Sequence, residues 1–397
     1  MVKNILLCSD CKSDYEIKTF LERENHAIDA VFTCVNCGRQ VIMTDKKIIE
    51  SNNTFSKETI ENFNKKYNLN IIYKNKNSEY VDFVEKNQTH KGKDYFSGIK
   101  KTFNLICYLI VWFFMYLKYK DKKPKNSKIS SIIENLSWHY QYVPEMAIQK
   151  LLEIKAILNN CPEENLGTVL DIGGGSGIVA KTLLKGNFST NSVINIDLFQ
   201  HRYFYDMNIA GDFSHVEIKP NSLDTIISIC VLEHIPDVIS LFNKVSSSLR
   251  DNGLFIFTMP MQDYYKGLYF YRLFDFLGLK KMAKNYANYD IARSAHYSLY
   301  SQEEMIKALQ SNGFKDIQAI PFFPVKLLTD FDFANFPAKL PTNWHFWGEW
   351  QIFLTKNLWL KHILEKMLTR ILYGMNNKSD QYKETSDNTH LLYICRK

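Results

Sequence analysis

The sequence predicts a doubly wound α/β fold, a mostly parallel sheet with helices on both faces. Three observations predict it. A short aliphatic run, Thr168 to Ile172, stops at Gly173-Gly-Gly-Ser-Gly177 and is followed by a helical apolar stripe, Ile178, Val179, Leu183 and Leu184. A second β-branched run, Val193 to Ile196, ends in Asp197, 20 residues beyond Gly177. Further apolar runs then alternate with helical patterns to the end of the chain. Strand, glycine turn and helix form the first half of a βαβ nucleotide-binding unit. Glycine is needed where the turn visits positive φ and where a ligand must approach bare backbone.

The glycine pattern separates three ligands. A dinucleotide fingerprint starting at Gly173 requires Gly or Ala at position 178, where Ile178 stands. A phosphate loop starting at Gly175 would suit Lys181-Thr182, but Ala180 replaces its glycine. Acid-x-G-x-G-x-G is met in full by Asp171, Gly173, Gly175 and Gly177. This last pattern resembles motif I of the class I S-adenosylmethionine (SAM)-dependent methyltransferases, of the type 11-like group. The resemblance implies SAM as cofactor and a Rossmann-like seven-stranded sheet whose last strand is antiparallel. Asp197 then accepts the ribose hydroxyls.

Composition allows two or three domains in 397 residues. The formal net charge of +7 permits an anionic partner without requiring one. The start of the chain reads without a signal peptide, so a cytoplasmic protein is expected, with a peripheral place at the inner membrane face as a further option. Cys8-x-x-Cys11 and Cys34-x-x-Cys37-Gly38 are separated by 22 residues. Four thiolates on two tight turns close a tetrahedral metal site, so residues 1–50 are expected to be a structural zinc ribbon. The alternative is four reduced, buried thiols. Similar ribbons precede some methyltransferase domains.

Residues 51–135 read as a linker, Asn- and Lys-rich at first. It contains an apolar segment, 103–117, with lysines on both flanks. Fifteen residues are short for a bilayer span, and lysines on both sides oppose the positive-inside bias. A helix buried on the catalytic domain, or one lying in the membrane interface, is expected instead. Trp138 to Leu158 reads as a helix entering a catalytic domain of residues 136–397.

Within that domain, Phe199 to Asp206 is a short helical crossover and Met207 to Ala210 the third strand. It ends at Asp212-Phe213, which by resemblance receive the adenine amine and pack on its ring. Thr225 to Cys230 is the fourth strand. Asn221-Ser-Leu-Asp-Thr-Ile-Ile-Ser-Ile-Cys-Val-Leu-Glu-His234 resembles the family's post-strand motif, with Leu223 in place of the usual Phe. Cys230 would border the adenosine, with Glu233 and His234 at the crevice mouth. Asp237 to Leu249 is a helix with Asp237 as N-cap, and Leu254 to Met259 the fifth strand.

Insertion 260–300 is crowded with Tyr, including Tyr264, and holds Arg272 and Arg293. Insertions at strand ends commonly carry the substrate. His296-x-x-Leu-Tyr-Ser301 opens a helix with a Ser301/Glu304 capping box. Together with Gly313-Phe314 it resembles methyltransferases of surface-polysaccharide and lipid pathways. Phe314 to Ile320 is the sixth strand and Leu391 to Arg396 the antiparallel seventh. A second insertion, 323–388, holds Trp344, Trp347, Trp350 and Trp359, and an amphipathic basic helix from Leu360.

The expected reaction is methyl transfer to a small-molecule, glycan or lipid-linked acceptor. His234 and His296 are the candidate general bases, and Glu233 orients the acceptor or SAM. Each histidine also reads as one simply bonded to backbone. An RNA methyltransferase is the rival, weakened by the absence of an N-P-P-Y-type tetrad after the fourth strand. A non-catalytic adaptor that keeps the fold is the third reading.

Overall fold

The computed structural model describes residues 5–8, 11–23, 26–44, 47–49, 65–66, 98–141, 143–198, 205–339, 357–385 and 387–397. The linker before residue 98 apart from 65–66, the crossover at 199–204, and Trp344, Trp347 and Trp350 lie outside the described residues.

Among the described residues one sheet of 11 strands runs through the molecule. Its catalytic part is seven strands: β5 (Asn165–Ile172), β6 (Ser189–Asp197), β7 (Met207–Ala210), β8 (Leu223–Ile229), β9 (Leu249–Pro260), β10 (Lys315–Pro321) and β11 (His390–Arg396). They lie side by side in the order β7-β6-β5-β8-β9-β11-β10. The first five are mutually parallel, and β11 inserts antiparallel between β9 and β10. This is the predicted seven-stranded sheet. Both faces are covered, which explains the unbroken apolar strand sequences. Alternate residues feed opposite cores: Val169, Ile227 and Ile256 one, and Leu170, Ile226 and Phe255 the other.

The four remaining strands, β1 (Tyr15–Arg23), β2 (His26–Cys34), β3 (Gln40–Thr44) and β4 (Lys47–Ile49), form an antiparallel ribbon. It is not a free-standing module. β4 pairs parallel with β7, matching Ile48 to Ile209. At the chain start, Leu7 N donates to Glu217 O at 2.9 Å and Lys219 N to Ile5 O at 2.8 Å. Phe32, Val41 and Met43 join the core that contains Leu170 and Ile172. The ribbon therefore closes one edge of the catalytic sheet, an edge that would otherwise offer unpaired backbone groups.

Among the described residues the helices are α1 (Gly98–Tyr119), α2 (Ser127–Tyr140), α3 (Pro144–Asn160), α4 (Ile178–Leu184), α5 (Val238–Ser248), α6 (Tyr269–Phe276), α7 (Lys280–Arg293), α8 (Gln302–Ser311), α9 (Val325–Lys339) and α10 (Leu358–Thr385). The single helix expected from Trp138 to Leu158 is two. Pro144 cannot continue a helix but suits a first turn, so α2 ends at Tyr140 and α3 begins at Pro144. The capping box at Ser301/Glu304 is present, and Asp237 caps α5 by accepting from Ser240 N.

The apolar segment 103–117 lies within α1, which packs against α9 and α10 of the second insertion. Tyr108, Trp112, Met115 and Tyr119 are buried at helical spacing, while Ile110, Phe113, Phe114 and Leu117 are exposed. Gly374 of α10 lets this contact form, because a Cβ there would stand 1.5 Å from the Tyr119 carbonyl oxygen. Among the described residues no helix is long and apolar enough to cross a membrane.

Candidate active site

The glycine turn lies where β5 meets α4, at the carboxyl ends of the parallel strands. Gly173, Gly175 and Gly177 all have positive φ, at 72°, 55° and 76°. At Gly175 a Cβ would meet nothing within 4 Å, so the turn borders an open hollow. Gly174 is packed instead: a Cβ there would strike the Tyr205 hydroxyl and the Asp171 carboxylate. Asp197 reaches across from β6, and its Oδ2 accepts from Gly175 N at 2.9 Å. Thus Asp197 and the hollow beside Gly175 lie together, as a nucleoside site requires.

Asp171 is buried at the end of β5 and accepts from the Tyr205 hydroxyl at 2.6 Å. Burial pushes its carboxyl up to about 7, the Tyr205 bond opposes that shift, and neighbouring Asp197 adds to it. Asn195 steadies the turn by accepting from Gly174 N at 3.1 Å. Neither Tyr205 nor Asn195 was singled out from the sequence. Asn195 was findable, since it stands two residues before Asp197 on the same side of β6; nothing local in the sequence points Tyr205 towards Asp171, 34 residues earlier.

Asp212 and Phe213 follow β7, beside Asp197. Asp212 serves its own turn, accepting from Ser214 N at 2.8 Å. Phe213 departs from the implied role. Its ring is buried in the core and Lys244 lies 5.1 Å over it, so it presents no free face to a bound ring.

After β8 the chain turns sharply. Cys230 has φ 59°, uncommon for a side chain with a Cβ, and the turn Leu232–His234 follows. α3 supports this corner. Gln149 Nε2 lies 2.7 Å from Cys230 Sγ, and the buried Lys150 ammonium sits 2.8 Å from Glu153 and 3.4 Å from the Ile229 carbonyl. Cys230, Glu233, His234 and His296 then line a cavity of about 330 Å³. Its roof comes from both insertions, through Tyr264, Asp290, Arg293, Phe331 and Asn335. Such a volume is at the small end for ligand pockets.

His234 and His296 come together although 62 residues separate them, their ring centres 5.3 Å apart. Backbone bonds from Tyr297 N and Ser298 N to the Glu233 carbonyl hold the two segments in register. His234 Nδ1 lies 3.2 Å from the Ala295 carbonyl, so it must be the donor. His296 Nδ1 lies 3.1 Å from the Tyr264 hydroxyl, whose own proton points to Asp290 at 3.1 Å. With that proton committed, His296 Nδ1 donates. Both rings therefore carry their neutral-state lone pair on Nε2. Glu233 is fully buried, and burial pushes its carboxyl up against the pull of His234.

The second cluster is at the ribbon's knuckles. Cys8 and Cys37 sulfurs are 3.5 Å apart and Cys11 and Cys34 sulfurs 3.4 Å, with all four within 4.8 Å of one another. A tetrahedral zinc–thiolate site has sulfur separations near ~3.8 Å. The four residues thus fit a metal ion. Gly38, at φ 69°, makes the second knuckle turn, and Lys12, at φ 58°, takes the same conformation in the first.

Residues 139–319 match the model of a family described as a methyltransferase domain. No curated protein sequence matches the chain. Similar solved structures include a complex between the Haloferax volcanii Trm112 methyltransferase activator and a methyltransferase. It is 14% identical, with 66% of this chain and 96% of that chain covered and a TM-score of 0.39. Haemonchus contortus phosphoethanolamine N-methyltransferase 2 with bound SAM is 19% identical over 62% of this chain and 52% of that one, at a TM-score of 0.35. A SAM-dependent methyltransferase from Mesorhizobium loti is 14% identical over 62% and 98%, at 0.36. Segment 139–319 thus matches a methyltransferase-domain family, and the strand order and glycine turn described lie within and around it.

Proposed function

We propose that the chain transfers a methyl group to a small polar acceptor, or to the polar head of a glycan or lipid-linked molecule, held in the cavity beside Glu233. The observation that carries this reading is the cavity itself, a partly open hollow beside the cofactor corner lined by residues of both insertions. Three carboxylates line it, Glu145, Glu233 and Asp290, against Lys150 and Arg293. That balance suits hydroxyl or amine groups better than a polyphosphate backbone.

SAM, when bound, supplies a methyl group already activated on a sulfonium. The chain's task is to place the acceptor in line and keep water out. In this reading Gly173, Gly175 and Gly177 give backbone access, Asp197 receives the ribose, and Asp171 balances the cofactor's positive charge. Asp212 marks the adenine end. Lys150 and Gln149 fix the Cys230 corner between cofactor and acceptor. Nε2 of His234 or His296 takes the acceptor's proton, and Glu233 orients the acceptor. The four ribbon cysteines hold a structural zinc ion.

The exposed apolar side of α1, and exposed Leu358, Trp359 and Ile363 on α10, support work at a membrane surface. The test is transfer from methyl-labelled SAM into extracts separated as lipid, glycan, small-molecule, RNA and protein fractions. Label in the lipid, glycan or small-molecule fraction is expected. Label confined to RNA or protein overturns the acceptor assignment. No heat on SAM titration of folded protein leaves a non-catalytic adaptor.

A further inference from the structure

The cavity mouth holds more than a pair of bases. One ligating atom from each of Glu233, His234 and His296 lies within 4.8 Å of the other two. Glu233 is wholly buried, and among the described residues neither of its carboxylate oxygens has a partner at hydrogen-bond geometry; the neighbouring Cys230 thiol, a weak donor, only partly offsets its burial. Its nearest cationic candidate, His234 Nε2, stands 3.9 Å from Oε1, too far for a hydrogen bond. An unsatisfied buried carboxylate is costly, and native proteins seldom leave one without a compensating partner.

The histidines supply the other half of the site. Each ring donates Nδ1–H to an oxygen, His234 to a backbone carbonyl and His296 to a tyrosine hydroxyl backed by a carboxylate. That outer bonding fixes ring orientation and leaves Nε2 as a lone pair, the arrangement of metal-ligating histidines. A simple ion pair between Glu233 and one histidine accounts for neither the second ring nor its Tyr264–Asp290 backing. Two imidazoles and one carboxylate on one side of an ion leave open positions for other ligands, here on the cavity side.

We propose that Glu233, His234 and His296 bind a divalent first-row transition-metal ion, and that its open positions take an oxygen of the acceptor. This rests on the reading of the cavity as the acceptor site of a methyltransferase. Mixed nitrogen and oxygen donors favour Mn²⁺, Fe²⁺ or a later ion over Mg²⁺, which prefers oxygen alone. The consequence is an oxygen acceptor, because a bound cation eases loss of a hydroxyl proton near neutral pH. With both Nε2 atoms on the ion, the ion takes over the part given above to a free histidine base, and the proton leaves to cavity water. The oxygen's electron pair forms the new bond to the methyl carbon while the carbon–sulfur bond breaks, its pair remaining on sulfur and neutralising the sulfonium. No oxidant or reductant is needed.

The test uses the full chain with the ribbon zinc-loaded, titrated with Mn²⁺ and followed by electron paramagnetic resonance of free ion. Mn²⁺ binds thiolates poorly and so leaves the ribbon out of the readout. One site per chain is expected, weakened at least tenfold in Glu233→Gln, His296→Ala and His234→Gln. SAM affinity, measured by calorimetry on the same preparations, is expected to stay within about twofold. No Mn²⁺ binding by a wild-type chain that still binds SAM overturns the metal site and leaves the methyltransferase reading intact. Wild-type chain that binds neither removes both. Unchanged Mn²⁺ affinity in the variants also overturns the site. If the buried Glu233 variant misfolds, His234→Gln decides between these outcomes, because its half-exposed ring can be changed without opening the core.

Discussion

Gly175→Ala separates the cofactor site from the fold. In the free chain the new Cβ would meet nothing within 4 Å, so no clash opposes it. What remains is the conformation: φ is 55°, and a residue with a Cβ held there loses roughly 1–2 kcal/mol. The protein should therefore fold, with a melting temperature lowered by a few degrees, as a loss of that size implies in a large domain. The hollow is another matter. If the SAM nucleoside lies against bare backbone at Gly175, the methyl group stands inside its van der Waals envelope. Relief needs a shift of the turn, which Asp197 resists through its bond to Gly175 N. A cost of ~3 kcal/mol corresponds to a loss of SAM affinity of about 100-fold. The assay is SAM calorimetry beside thermal unfolding. Gly174→Ala is the contrast, because its Cβ would strike Tyr205 and Asp171 within the protein and lower stability itself. Wild-type SAM affinity in folded Gly175→Ala would refute the placement of the cofactor.

The raised carboxyl of Asp171 makes its contribution depend on pH. Its folded pKa, about 7, lies above the unfolded 3.8, so the native state holds the extra proton between those values. Stability from this group is present at low pH and falls as pH rises towards 7. Asp171→Asn should gain on wild type by roughly 2–3 kcal/mol between pH 5 and pH 7, at 1.36 kcal/mol per unit; denaturant unfolding at both pH values reads it, and a constant difference contradicts the buried charge. Removing zinc with a chelator should destabilise the catalytic sheet as well as the ribbon, since Phe32 and Met43 share a core with Leu170. Hydrogen exchange of β7 amides checks this, and unchanged protection there argues against the shared edge. Gly374→Ala should cost about 2–3 kcal/mol by forcing α1 from α10, seen as a lowered melting temperature with SAM affinity intact.

Elements with a local period were legible before any coordinates. The carboxyl ends of β5 to β8, the αL glycines, the Ser301/Glu304 box and the paired cysteines each follow from neighbours a few residues apart, whereas β5, β6 and β8 begin two to four residues earlier than their apolar runs suggest. Short-range sterics and hydrogen bonding fix such features. Two local readings still failed. The helix from Trp138 ran on through Pro144, and Phe213 went to a ligand when the core had claimed it. The first was avoidable, because a proline removes a donor wherever it sits. The second was not, because only the position of Lys244 and the packing beneath β7 decide which face of the ring is covered.

By itself, then, the sequence determined a parallel α/β sheet with a nucleoside-binding turn, an acid at each of two strand ends, and four thiols spaced for one ion. Tertiary structure alone decided where the ribbon goes, what Tyr205 does to Asp171, and that His296 returns from an insertion to meet Glu233 and His234. Those outcomes depend on contacts between residues tens of positions apart. No spacing rule encodes them, because they are set by how whole elements pack, and packing sums many weak contacts that no short stretch of chain contains.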